Sequence, residues 1–210
     1  MTDWVAWHDA YENPSSSLAR RLVVVQRFIE DALDAAPSGP VRVIHLCAGD
    51  ARDLIGVALR HPRGRDITGR VIEFDPDLAD RARRAVARAG LAGLDVVTGD
   101  AGDASLYEGA APADLVLACG VFGNVVDEDI ARTIDFFTTV CAMRARVIWT
   151  RGRIESNDFT PTIRAWFAER GFDELAFVAP EDAIFSVGVH RYTSSQQAKP
   201  VEGRLFSFVG

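Results

Sequence analysis

The stretch VRVIHLCAGDARDLIGVAL, Val41 to Leu59, decides the fold. Val41, Val43, Ile44 and Leu46 form a short apolar, mostly β-branched run, the pattern of a buried parallel strand. The run breaks at Cys47-Ala48-Gly49, three small residues that leave room for a ligand against the backbone. A helical stretch follows, with Asp50 in the N-cap position and Leu54, Val57 and Ala58 on one face. Strand, small-residue turn and helix start together make a place where backbone N–H groups can meet a ligand closely.

The same unit recurs downstream. Arg70 to Phe74 reads as a second strand with Glu73 near its carboxyl end, a little over twenty residues past the turn and placed to accept hydrogen bonds from two ribose hydroxyls. A charge in an otherwise apolar parallel strand needs a partner, whereas Asp75-Pro76 reads as an ordinary N-cap and first helical residue. The helix after it carries an apolar stripe at Leu78, Ala82, Ala85, Val86 and Ala89; Arg81, Arg83, Arg84 and Arg88 form its solvated face. LDVVTGD gives a third strand leading to Asp100, and Ala113 to Ala118 a fourth that runs into Cys119-Gly120-Val121-Phe122-Gly123-Asn124.

The series CAGD (47–50), IEFDP (72–76), VVTGDA (96–101) and ADLVLACGVF (113–122) resembles the successive motifs of the class I S-adenosylmethionine-dependent methyltransferases. It is most similar to a bacterial branch whose first motif reads like LCAGDGRD, and the resemblance covers roughly residues 40 to 190. Three positions depart from that pattern: His45 stands where an acid is frequent, Cys47 replaces the first glycine and Ala51 the last. The resemblance implies a Rossmann-like α/β fold: a seven-stranded, mostly parallel sheet with the last strand antiparallel and helices on both faces, three layers αβα. It implies S-adenosyl-L-methionine as cofactor and S-adenosyl-L-homocysteine as product. The cofactor would be lined by Cys47, Ala48, Gly49, Glu73, Phe74, Asp100, Ala101, Cys119, Gly120 and Val121. Within that set Glu73 takes the ribose, Asp100 the adenine amino group, and the next backbone N–H reaches the ring. Asp100 also reads as an ordinary turn aspartate, with Asp103 nearby competing for the role. Phe122 reads equally as core.

Length and composition fit one domain, residues 1–210: an N-terminal helical segment (1–38), a Rossmann-like core (39–192) and a tail (193–210). Leu18, Leu22, Val25, Ile29 and Leu33 predict an amphipathic helix over Ser17 to Ala35. The residues before it hold Trp4, Trp7, His8 and Tyr11, which read either as an aromatic anchor or as a lid over the site. Asp127 reads as the cap of a helix facing inward through Ile130, Ile134, Phe137 and Cys141, and Ala145 to Trp149 as the fifth strand. Thr160-Pro161 opens a further helix stopped by Gly171; Asp173 to Val178 and Ala183 to Arg191 form a closing strand pair. In the tail, Arg204 to Phe208 alternates as an edge strand does.

Acceptor handling falls to His8, Tyr11, Asn124 and Arg151, each in a segment able to overhang the carboxyl edge, though no motif fixes a catalytic residue. No NPPY-like run follows the fourth strand, and a net charge of −7 counts against a broad nucleic-acid surface, so a small-molecule acceptor is preferred. The four histidines and three cysteines show no zinc spacing, which predicts no metal, and the scattered thiols suit a reducing compartment. With no bilayer-length apolar run and no signal-peptide pattern at the N-terminus, the expected location is cytoplasmic; homo-oligomerisation is left open. Two other functions compete: a non-catalytic cofactor-binding subunit, and, ranked lower, a nicotinamide dehydrogenase. The latter lacks GxGxxG in the first turn and any Tyr-x-x-x-Lys pair, since Lys199 is the only lysine.

Overall fold

The computed structural model describes residues 9–153, 158–194 and 202–209. Alternating apolar segments form strands β1 (Val41–His45), β2 (Ile67–Glu73), β3 (Leu94–Thr98), β4 (Ala113–Ala118), β5 (Cys141–Gly152), β6 (Phe172–Val178) and β7 (Phe185–Tyr192). They make a seven-stranded sheet in the order β3-β2-β1-β4-β5-β7-β6. β1 to β5 pair in parallel, while β7 runs antiparallel to both β5 and β6. The expected Rossmann-like architecture, with its last strand reversed, is therefore present.

Helices α1 (Ser17–Ala35), α2 (Arg52–Ala58), α3 (Pro76–Ala89), α4 (Asp127–Val140) and α5 (Thr160–Glu169) cover both faces. One apolar layer packs α1, α2 and α3 on the sheet through Ile29, Leu33, Leu54, Val57, Ala82 and Val86. The other packs α4 and α5 through Ile134, Phe137, Ile163 and Phe167 against Val116, Val147 and Trp149. Successive strand residues point to opposite faces, so Val41 and Val43 join the first layer and Ile44 and Leu46 the second. In the second layer Gly188 lies opposite Trp149 across the β5–β7 ladder, and a Cβ there would come within 2.3 Å of the indole. The glycine is what lets the largest core side chain lie flat on the sheet.

Four local expectations are revised. Cys141, expected on the inward face of the helix that starts near Asp127, lies past that helix's end at Val140 and is the first residue of β5. Ala51, in left-handed conformation with φ 54°, occupies the N-cap of α2; Asp50 instead accepts from the Arg52 backbone N–H at 3.2 Å and grips its guanidinium. Asp127 is the first residue of α4, with Val126 as its uncapped N-cap. Arg204 to Phe208 does not extend a sheet edge. It docks through isolated bridges, Arg204 to Asp103 and Phe208 to Val125, with Leu205 and Phe206 buried. By contrast α1 spans the expected residues, Ser16 caps it by accepting from Ala19 N–H, and Asp75 caps α3 in front of Pro76. Among the described residues no helix is long and apolar enough to cross a membrane.

Candidate functional site

The carboxyl ends of β1, β2, β3 and β4 lie side by side, and the four small-residue or acidic loops that leave them share one edge of the sheet. The first loop is tightly wound. Cys47, Gly49 and Ala51 all take left-handed backbone conformations, with φ of 48°, 59° and 54°. Glycine does this freely, whereas each Cβ-bearing residue there costs about 1–2 kcal/mol. The Ala48 N–H donates to the Ile72 carbonyl at 3.0 Å and the Ala51 N–H to Ala48, which hold the turn in place. The two departures from glycine thus keep a glycine-type backbone. Strain retained at such a spot is a pointer to function.

Glu73 organises the edge. It is 8% exposed, and its carboxylate accepts from the Gly49 N–H at 2.7 Å and from the Asp75 N–H at 2.8 Å. The partner that a buried charge requires is therefore backbone, from the first loop on one side and the second on the other. Each oxygen keeps a further lone pair. Phe74 follows with 71% of its surface exposed, a large aromatic ring left uncovered beside the carboxylate.

After β3, Asp100 accepts from the Gly102 N–H at 2.9 Å and pairs with Arg204 at 2.8 Å. Asp103, its rival in the sequence, caps the short 3-10 turn Ala104–Tyr107 by accepting from Ser105. Ala101 is buried, and its carbonyl accepts the Tyr107 hydroxyl at 2.6 Å. After β4, Cys119 and Gly120 are partly exposed, and a Cβ on Gly120 (φ 85°) would meet nothing within 4 Å. The Gly120 N–H donates to the buried Thr150 hydroxyl at 2.9 Å. Val121 and Phe122 are fully buried; the Phe122 ring lies 5.8 Å from Trp149, so their side chains belong to the core. Burial holds the Cys47, Cys119 and Cys141 thiols well above their ordinary range, so they stay protonated and are poor nucleophiles.

The acceptor candidates divide. His8, with Trp4 and Trp7, lies outside the described residues. Tyr11 sits on a 3-10 turn, Asp9–Glu12, with the Arg52 guanidinium 4.5 Å from its ring centroid and Arg21 donating to its hydroxyl at 3.1 Å. It therefore stands against the first turn of α2. Burial raises its hydroxyl above the usual phenol range, partly offset by Arg21. Asn124 turns its amide back onto the Gly120 carbonyl at 2.7 Å. Arg151 donates to the Phe122 carbonyl, faces Asp127 at 3.7 Å and stacks on Phe159. Beneath Tyr11's side of the edge lies a pair the sequence did not disclose: buried His45, with Nε2 3.5 Å from the buried Asp53 carboxylate. Asp53 supplies an acid from α2 beside the position where the strand carries histidine. Its burial could not be inferred, because an acid in a first helical turn ordinarily faces solvent. Among the described residues, no group of three or more His, Cys, Asp or Glu side chains could hold a metal ion.

No protein-family model matches the chain, and no curated protein matches it. Solved structures do. An O-methyltransferase family protein from Burkholderia thailandensis superposes with a TM-score of 0.70 at 18% identity, over 91% of this chain and 60% of that one. A mitomycin 7-O-methyltransferase gives 0.56 at 18% identity, over 89% of this chain and 60% of the other. An RNA methyltransferase from Salinibacter ruber, solved with S-adenosyl-L-homocysteine, gives 0.54 at 20% identity, over 85% of this chain and 96% of its own. The chain thus spans 60% of the length of the first two. Identities this low establish architecture alone, and these proteins differ among themselves in what they are named for acting on. The chain has the fold of these methyltransferases.

Proposed function

We propose that the protein is an S-adenosylmethionine-dependent methyltransferase acting on a small-molecule acceptor. The observation that carries this is Glu73, a buried carboxylate at the end of β2 whose two oxygens are fixed by backbone of two loops while each keeps an acceptor site. That is what two vicinal ribose hydroxyls require. The surroundings fit the rest of the ligand: an exposed Phe74 ring to lie on a base, and open space at Gly120 where a Cβ would otherwise stand. In this reading Asp100 accepts from the adenine amino group and the Ala101 N–H reaches a ring nitrogen. Cys47, Ala48, Gly49, Cys119 and the backbone of Gly120 and Val121 flank the amino-acid end. Tyr11 and its turn act as cover.

The cofactor supplies an activated methyl group, so the chain's own residues bind, orient and exclude water. Among the described acceptor candidates none stands as a ready base, and His8 lies outside the described residues. Asn124 and Arg151 are engaged with backbone carbonyls, and Tyr11 holds its proton. This favours an acceptor that is already nucleophilic, an amine or a thiolate, over a hydroxyl that must lose its proton as it reacts. The same observation supports a second reading, a cofactor-binding subunit without catalysis. Incubating the protein with lysate and methyl-labelled S-adenosylmethionine separates the two. Label in small metabolites is the expected result. Label confined to RNA or protein overturns the acceptor class, and saturable binding with no labelled product at all favours the binding subunit.

A further inference from the structure

Residues 202–209 cross two loops of the same edge. The Ala104 N–H donates to Gly203 and the Leu205 N–H to Gly102 at 2.7 Å, while the Val209 N–H donates to Asn124 at 2.8 Å. The Ser207 N–H donates to Asp129, and Arg132 reaches the Leu205 carbonyl. Leu205 is 0% and Phe206 2% exposed, and a Cβ on Gly102 would stand 2.3 Å from the Phe206 carbonyl. The strap is therefore a fixed wall, anchored by two buried side chains and closing the gap between the loops after β3 and β4.

Of its two charged side chains, Glu202 and Arg204, it is Arg204 that pairs with the loop after β3. Nη2 donates to Asp100 at 2.8 Å and Nε to the Ser207 hydroxyl at 3.0 Å. The pair is not sealed in: the Arg204 side chain is 51% exposed and that of Asp100 39%. A guanidinium has more donors than these two bonds engage, and a carboxylate more acceptor sites. What faces outward is an acceptor and a donor side by side, held by backbone bonds and by each other. Adenine carries the complementary pattern, an exocyclic amino donor flanked on each side by a ring-nitrogen acceptor. One flanking nitrogen is met by the Ala101 N–H in the reading above.

We propose that Arg204 is a base-reading residue, donating to the other ring nitrogen beside the amino group while Asp100 accepts from the amino group itself. The proposal rests on the nucleoside reading of the edge and adds the strap to it. Asp100 pinned at both oxygens enters binding already oriented, and Arg204 makes its own contact as well.

The test compares S-adenosyl-L-homocysteine with its 1-deaza and 7-deaza counterparts, by calorimetry, on the full chain and on Arg204→Ala and Arg204→Lys. Arg204→Ala is expected to weaken S-adenosyl-L-homocysteine by about tenfold, with partial recovery in Arg204→Lys. One of the two deaza ligands should bind the full chain and the Arg204→Ala variant alike, because it lacks the atom that Arg204 contacts. A merely structural role would weaken all three ligands by one factor, and that result overturns the proposal while leaving the methyltransferase reading intact. Failure of the unmodified chain to bind S-adenosyl-L-homocysteine overturns both.

Discussion

In the proposed reading Glu73 binds the ribose as well as holding two loops together, and its removal should register in both roles. The sequence alone predicts that Glu73→Ala weakens cofactor binding and leaves the fold intact. The structure adds that the carboxylate satisfies the N–H groups of Gly49 and Asp75. Its loss should weaken S-adenosyl-L-homocysteine by roughly 1.5–3 kcal/mol in calorimetry and lower unfolding stability by roughly 1–3 kcal/mol in denaturant titration. Unchanged affinity in a folded variant removes Glu73 from the site. His190, far from that edge on β7, makes a second residue-level prediction. It accepts from Trp149 Nε1 at 3.1 Å, stacks on Phe167 at 4.2 Å and stands 3.6 Å from Glu174. Burial pushes its pKa down from 6.5 to about 4, with Glu174 opposing. The unfolded chain therefore takes up a proton near pH 6.5 that the folded chain refuses until about pH 4. Stability is full above that window and falls through it as pH drops, by up to about 3 kcal/mol. His190→Asn keeps an acceptor for the indole N–H without the titration. Its stability should fall less than the parent's between those two pH values in parallel denaturant titrations; equal slopes contradict the assignment.

At the scale of elements, the neighbouring acids of the second loop separate cleanly. Asp75 accepts from the N–H groups of Asp77 and Leu78 at the start of α3. Asp75→Ala should cost about 1 kcal/mol of stability by thermal or chemical unfolding while affinity for S-adenosyl-L-homocysteine stays within about twofold. A large loss of affinity would place Asp75 in the ligand's path. The cap and its proline were readable because both act on the backbone within a few residues. The helix starts expected at Asp50 and Asp127 each miss by one residue, in opposite directions. An acid before an apolar run marks a helix start, but a left-handed turn puts the cap one residue later at Ala51, and at Asp127 the extended residue before the helix is Val126. Likewise the alternation at Arg204 to Phe208 revealed that this segment docks, and not on what. The docking partners are two loops about a hundred residues away in sequence.

At the scale of the molecule, the sheet's class was legible because the successive strand–loop motifs resemble one family's series, which implies seven strands with the last reversed; the order of the strands comes from the structure. The same motifs point to a candidate ligand edge, at the carboxyl ends where parallel sheets bind small molecules. Long-range pairs were not legible: His45 with Asp53, Thr150 with Gly120 and Arg204 with Asp100 each join residues whose local sequence carries no sign of the other. The central claim is that a nucleoside lies across this edge with its sugar on Glu73. Isothermal titration of the full chain with S-adenosyl-L-homocysteine and, separately, with NAD tests it most directly. Saturable one-to-one binding of S-adenosyl-L-homocysteine with no heat from NAD is the predicted result; binding of NAD with indifference to S-adenosyl-L-homocysteine would contradict it.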